Sequence, residues 1–189
     1  MTRIDVVEAG IAELREAMTS GRATCEEILD AYLARVDAYD AAGPSLNAVV
    51  VRNPEARAEA RESDRRRARG ETLGPLDGII YTAKDSYLVQ GLTAAAGSPA
   101  FADLGAQKDA FTIERLRAAG AICLGLTNMP PMANGGMQRG VYGRAESSYN
   151  ASWLTSAFGS GSSNGSGTAT AASFAAFGLG EETWSSGRA

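Results

Sequence analysis

An α/β fold with parallel strands is predicted by three features of this sequence. The apolar run 79–83 closes on Lys84, a second apolar run spans 121–126, and between them residues 109–119 repeat apolar positions at helical spacing up to Gly120. Strand, helix and strand of these lengths form a crossover unit, which joins parallel strands. Ligands of such sheets bind at the carboxyl ends of the strands. Lys84 and the run Thr127, Asn128, Met129, Pro130 occupy two such ends.

Taken in order, the chain opens with Val7, Ile11, Leu14 and Met18 at helical spacing, a pattern that stops at Ser20 and Gly21. Thr24 with Glu27 three residues on reads as a capping box, and Ile28, Tyr32, Leu33, Val36 and Tyr39 then form an apolar stripe reaching the turn at Gly43 and Pro44. Residues 48–51 suit a short strand. Asn53 and Pro54 suit the cap and first position of an Ala-, Glu- and Arg-rich helix ending at Gly70. That helix has almost no apolar face, so it is expected at the surface, tied down by ion pairs four residues apart. The arginine cluster 65–69 reads as its solvated side.

From Leu73 the texture changes to a Gly and Pro turn and then the apolar strand ending at Lys84. A lysine there has two readings: a stem that snorkels at the sheet edge, or a desolvated amine able to act as a base. Residues 91–96 form a second small-residue strand or loop. The helix 109–119 is expected to turn Phe111, Ile113 and Leu116 toward the core. The long Gly- and Ser-rich stretch 135–160, with Trp153 and several tyrosines, is expected to be ordered coil around a site. Residues 166–177, all small apart from phenylalanine, suit a buried helix opening out of a Gly/Ser loop, with its unsatisfied N–H groups at that end.

Composition narrows the chemistry. The 189 residues suit one globular domain, and a formal net charge of −4 leaves no broad basic surface for nucleic acid or anionic lipid. No apolar run is long enough to span a bilayer. Cys25 and Cys123 lie in unrelated surroundings and read as small core residues, which without an apolar leader points to the cytoplasm. Histidine is absent altogether. A serine nucleophile therefore needs another base, and the chain has only Lys84 and Lys108 to set beside arginines that stay protonated.

The densest signal is residues 159–188, where a Gly/Ser run from Gly159 to Thr168 precedes the small-residue helix and Glu181-Glu182-Thr183-Trp184-Ser185-Ser186-Gly187-Arg188 follows it. A phosphate cradle would share that loop-to-helix shape. The Gly-Lys-Ser/Thr ending of such a loop is missing, however, and no Gly-x-Gly-x-x-Gly follows a clear strand. A purely structural loop is the second reading, and a serine nucleophile relayed to lysine the third.

At these residues the chain resembles the amidase signature family. The resemblance runs through Gly159 to Ala172 and Gly180 to Arg188, through Gly78 to Asp85, and through Gly120 to Pro130, three separated motifs in the family's order. It implies the amidase-signature fold, a mixed sheet core flanked by helices, with 1–72 as a helical entry arm and 73–189 as an incomplete catalytic core. It further implies Ser186 as nucleophile, Ser162 as bridging serine on a cis peptide bond, Lys84 as base, and the backbone N–H groups of Thr183, Trp184, Ser185 and Ser186 as oxyanion hole. Ser163 is expected to give a supporting hydrogen bond and Arg188 an anchor. Glu181-Glu182 and Trp184-Ser185 stand where many members have Thr-Asp and Gly-Gly.

The activity so implied is hydrolysis of a small-molecule carboxamide to carboxylate and ammonia or amine through an acyl-enzyme, without metal, cofactor, nucleic acid or membrane. A homodimer of the full-length protein is a further expectation. The alternatives are the glutaminase subunit of a tRNA-dependent amidotransferase and a truncated, non-catalytic fragment. Because the family domain continues past the nucleophile, the chain is expected to be an N-terminal piece, inactive by itself.

Overall fold

The computed structural model describes residues 4–188. Two N-terminal helices, α1 (Ile11–Thr19) and α2 (Cys25–Arg35), lead through a π turn at Val36–Asp40 to β1 (Val49–Arg52) and α3 (Ala56–Ala68). Then come β2 (Ile80–Lys84), α4 (Phe111–Ala118), β3 (Ile122–Thr127), α5 (Asn164–Ala171) and β4 (Phe177–Leu179). The strands form one sheet in the order β1-β3-β2-β4. β2 runs parallel to both β3 and β4, whereas β1 is antiparallel to β3, so the sheet is mixed. The register sets Lys84 beside Thr127, and both expected strand ends lie at the same edge of the sheet.

Local chemistry explains the element ends. The Thr24 hydroxyl accepts from the Glu27 amide at 3.1 Å and the Glu27 carboxylate accepts from the Thr24 amide at 2.8 Å, which closes the expected capping box. Successive residues of a strand face opposite ways, and β2 and β3 divide their side chains between two cores, with a register shift that skips Leu124 changing the parity before Leu126. Ile80, Ile122 and Leu124 join the larger core with Leu14, Ile28, Leu29 and Tyr32. Tyr81, Ala83, Cys123 and Leu126 join a second core with Ile113 of α4. Cys25 and Cys123 are both free and buried; burial is the chief cause that pushes each thiol up to about 12.

Several expectations need correction. α3 makes no ion pair four residues apart among the described residues: Arg57 reaches Asp30 and Arg61 reaches Glu26 on α2, while Arg66 reaches Asp77. Only Arg65 with Glu62 pairs within the helix at short spacing. The acids of α2 lie across from α3, so the contacts are tertiary. Asn53 does not cap α3 directly; it accepts from the Glu55 amide at 3.0 Å, and the helix begins at Ala56. Val7 and Phe111 are exposed, which leaves Ile113 as the buried residue of α4. The small-residue helix starts at Asn164 and stops at Ala171 instead of running to Phe177. Ser173 turns the chain at φ 53, and Phe177 opens a strand that stacks its ring on Tyr81 at 5.5 Å. The Arg35 guanidinium donates to the Ala172 and Ser173 carbonyls and so satisfies the freed end of α5.

Candidate active site

The site forms where the carboxyl end of β2 meets the start of α5. α5 approaches β3 so closely that a Cβ at Gly165 would lie 2.3 Å from the Asn128 carbonyl oxygen, so only glycine fits there. The Ser166 and Thr127 hydroxyls meet at 2.7 Å, and Ser166 donates to the Leu179 carbonyl at 3.0 Å, which pins α5 to β3 and β4. Gly161, at φ 77, turns the chain immediately before Ser162.

This placement brings Lys84, Ser162 and Ser186 into one line. Lys84 Nζ donates to Ser162 Oγ at 2.7 Å, and Ser162 Oγ donates to Ser186 Oγ at 2.6 Å. Lys84 and Ser162 are buried and Ser186 is half-buried, so the line runs from the interior to a surface cleft. A hydroxyl accepts and donates at once, and Ser162 here does both. The bond preceding Ser162 is trans, as are all peptide bonds among the described residues, contrary to the cis bond implied by the resemblance. The trans form is the lower-energy one for a non-proline residue, and the Ser162 hydroxyl reaches both partners from it.

Ser163 couples the two halves of the site. Its hydroxyl donates to the Glu181 carbonyl at 3.1 Å and accepts from the Glu181 amide at 3.2 Å, while its own amide donates to the Ser186 carbonyl at 2.9 Å. The loop after Glu181 is clipped by Glu182, whose carboxylate accepts from the Arg188 amide at 3.1 Å, and by Arg188, which donates to the Trp184 carbonyl at 2.6 Å. Thr183, Trp184, Ser185 and Ser186 line a cleft of 360 Å³ together with Gly159 to Gly161. Among the described residues their four amides donate no hydrogen bond.

Lys84 also donates to Glu181 Oε1 at 2.8 Å, and Glu181 Oε2 accepts from Ser86 at 3.1 Å. Sequence reasoning missed this partner: it noted Glu181 only as a departure from the family pattern, because 97 positions separate it from Lys84. Burial lowers the Lys84 pKa from its ordinary value; the Glu181 hydrogen bond and charge, with Glu182 behind, oppose that without cancelling it. Next to Lys84, Asp85 turns its carboxylate away to the Gly97 amide at 2.8 Å, and burial raises its pKa to about 6. No three His, Cys, Asp or Glu side chains are grouped to hold a metal ion among the described residues, and no helix there is long and apolar enough to cross a membrane.

Comparison with known proteins identifies the family. The chain is 36% identical over 174 residues to a glutamyl-tRNA(Gln) amidotransferase subunit of Cupriavidus metallidurans, covering 92% of this chain and 33% of that protein. It is 38% identical to AtzE, a 1-carboxybiuret hydrolase subunit from a Pseudomonas species, covering 90% of this chain and 36% of that one. The crystal structure of native peptide amidase from Stenotrophomonas maltophilia superposes with a TM-score of 0.79 at 35% identity, over 89% of this chain and 35% of that chain. The chain thus spans about a third of the length of the relatives it matches. The profile of the Amidase family matches residues 27–189, and the chain belongs to that family.

Proposed function

We propose that this chain carries the reacting groups of an amidase that hydrolyses a linear carboxamide to carboxylate and ammonia or amine. The observation that carries the reading is the unbroken line from Lys84 Nζ through Ser162 Oγ to Ser186 Oγ, at 2.7 and 2.6 Å. In a chain without histidine it joins a serine at this cleft to a buried amine that can take its proton.

Once Lys84 is neutral both hydrogen bonds reverse, Ser186 donating to Ser162 and Ser162 to Lys84; Lys84 then takes a proton from Ser162 as Ser162 takes one from Ser186, and Ser186 Oγ adds to the amide carbon. The oxyanion is met by the free amides of the 183–186 loop, where losing one donor typically costs about 2.7–4 kcal/mol of barrier. Collapse breaks the C–N bond, and the proton held on Lys84 returns through Ser162 to the leaving nitrogen. Water then adds to the Ser186 ester by the same relay and releases the carboxylate. Residues 1–72 serve in this reading as a helical arm and 73–189 as part of the catalytic core.

The test is labelling by a fluorophosphonate, which phosphonylates an activated serine. Labelling of the full-length protein that disappears in Ser186→Ala supports the reading, and an unlabelled full-length protein contradicts it. A second reading is a glutaminase subunit of a tRNA-dependent amidotransferase, favoured by the 36% identity to the Cupriavidus protein. Ammonia release from glutamine, rising on addition of candidate partner subunits, favours that reading; release from simple carboxamides alone favours the hydrolase.

A further inference from the structure

The line from Lys84 to Ser186 accounts for one of the three protons of the Lys84 ammonium. A second goes to Glu181 Oε1 at 2.8 Å, and the third meets no acceptor among the described residues. Glu181 is itself held. Ser86 donates to its other oxygen, Ser163 bonds its backbone on both sides, and Tyr87 donates to the preceding Gly180 carbonyl at 2.8 Å. The carboxylate is therefore aimed at the amine by four bonds that do not involve Lys84. With one N–H fixed on Glu181, the tetrahedral position facing Ser162 can hold the lone pair of a neutral Lys84, as the relay requires.

We propose that Glu181 is a positioning residue of this site, whose carboxylate orients the Lys84 amine against Ser162 and favours its charged form, so that Glu181 sets the pH above which the relay is competent as a base. This rests on the reading of Lys84 as the base. The charged groups around Lys84 are few. Glu181 touches it, and Glu182 stands behind, engaged with Gly187 and Arg188. Asp85 faces Gly97, and Tyr87 is turned to Gly180. Lys84 is wholly buried and the Glu181 side chain is 39% exposed, so the pair is one-sided: the acid can be solvated without the base, but the base has no other anion in contact among the described residues.

The substitution that isolates the charge is Glu181→Gln, which keeps an oxygen acceptor for the amine, while the Ser163 and Tyr87 bonds to the backbone hold the loop. The chain has two lysines, so isotope-labelled lysine yields one resonance for Lys84 and one for Lys108 as an internal control. Removing an anion in contact with an amine favours the neutral form. The Lys84 midpoint is expected to fall by about 1 pH unit in Glu181→Gln, the low end for a contacting opposite charge because Glu181 is part-solvated, with Lys108 unmoved. The ascending, acid-side limb of kcat/KM for amide hydrolysis should move to lower pH by the same amount, which a merely structural role would not produce. Glu181→Thr removes the same charge with a smaller side chain and serves if the Gln variant does not fold. An unmoved Lys84 midpoint overturns the proposal, and so does a moved midpoint with an unmoved limb. If neither protein hydrolyses amides or takes the fluorophosphonate, the amidase reading fails, and the midpoint alone decides the pairing.

Discussion

Two ion pairs in this molecule join a fully buried group to a more exposed partner on a distant element, and they are built to opposite ends. Asp77 is wholly buried against an 18%-exposed Arg66, and Lys84 is wholly buried against a 39%-exposed Glu181. Asp77 is saturated: it accepts from Ser63 at 2.8 Å, from Arg66 at 3.2 and 2.7 Å, and from the Leu73 amide at 2.9 Å. Burial pushes its pKa up, but the Arg66 fork, the Leu73 amide and the Ser63 hydroxyl outweigh burial and hold it below the ordinary value. Lys84 has two acceptors, and there burial wins. One site is finished so that its charge never changes; the other leaves its charged form underserved, which suits a group that must give up a proton.

That contrast can be broken from both sides. Lys84→Met should lower amide hydrolysis by about 10⁴-fold or more, as removing one member of a catalytic unit does, while equilibrium unfolding in urea shows the fold retained. Asp77→Asn should do the reverse, costing about 3 kcal/mol in the same unfolding assay by stranding Arg66 against a neutral amide, with fluorophosphonate labelling of Ser186 unchanged in the folded fraction. Asp77 is held low in the folded state. Its stabilisation is therefore present above the ordinary carboxylate range and is lost as pH falls through the folded value, so the gap between wild type and Asp77→Asn should close under acid.

Lys84 moves with pH in the same direction, but as the relief of a cost. Its folded value lies below the ordinary 10.5, so the charged form costs stability at low pH, and wild type should gain on Lys84→Met as pH rises toward 10.5. Smallest of all, Arg61→Ala breaks an exposed pair with Glu26 and should leave the melting temperature unchanged within error.

How much of this could be read in the chain depended on the range of the interaction. The Thr24 capping box, the crossover 79–126 and the lysine at a strand end are local patterns, and each is found where the residues placed it. The end of α5 was not legible. Residues 172–177 suit a helix by composition, but the chain turns over 172–176, and pairing with β2, distant in sequence, makes Phe177 the first residue of a strand. Phe111 fits the helical stripe, yet it stays exposed, with only the Arg115 guanidinium over its ring at 5.0 Å among the described contacts. At the site, Ser162 and Ser186 were legible through the family resemblance. Glu181 was not, because its charge acquires a role only when the sheet edge brings Lys84 within 2.8 Å.

The two buried thiols have a practical corollary. Cys25 lies against the Gly78 carbonyl and Cys123 inside the second core, each held almost entirely as the unreactive protonated form near neutral pH. A cysteine introduced on the rim of the cleft, at Trp184 for example, would thus be the one site open to a maleimide dye, so that a fluorophore could report on movement of the 183–186 loop without first removing the native thiols.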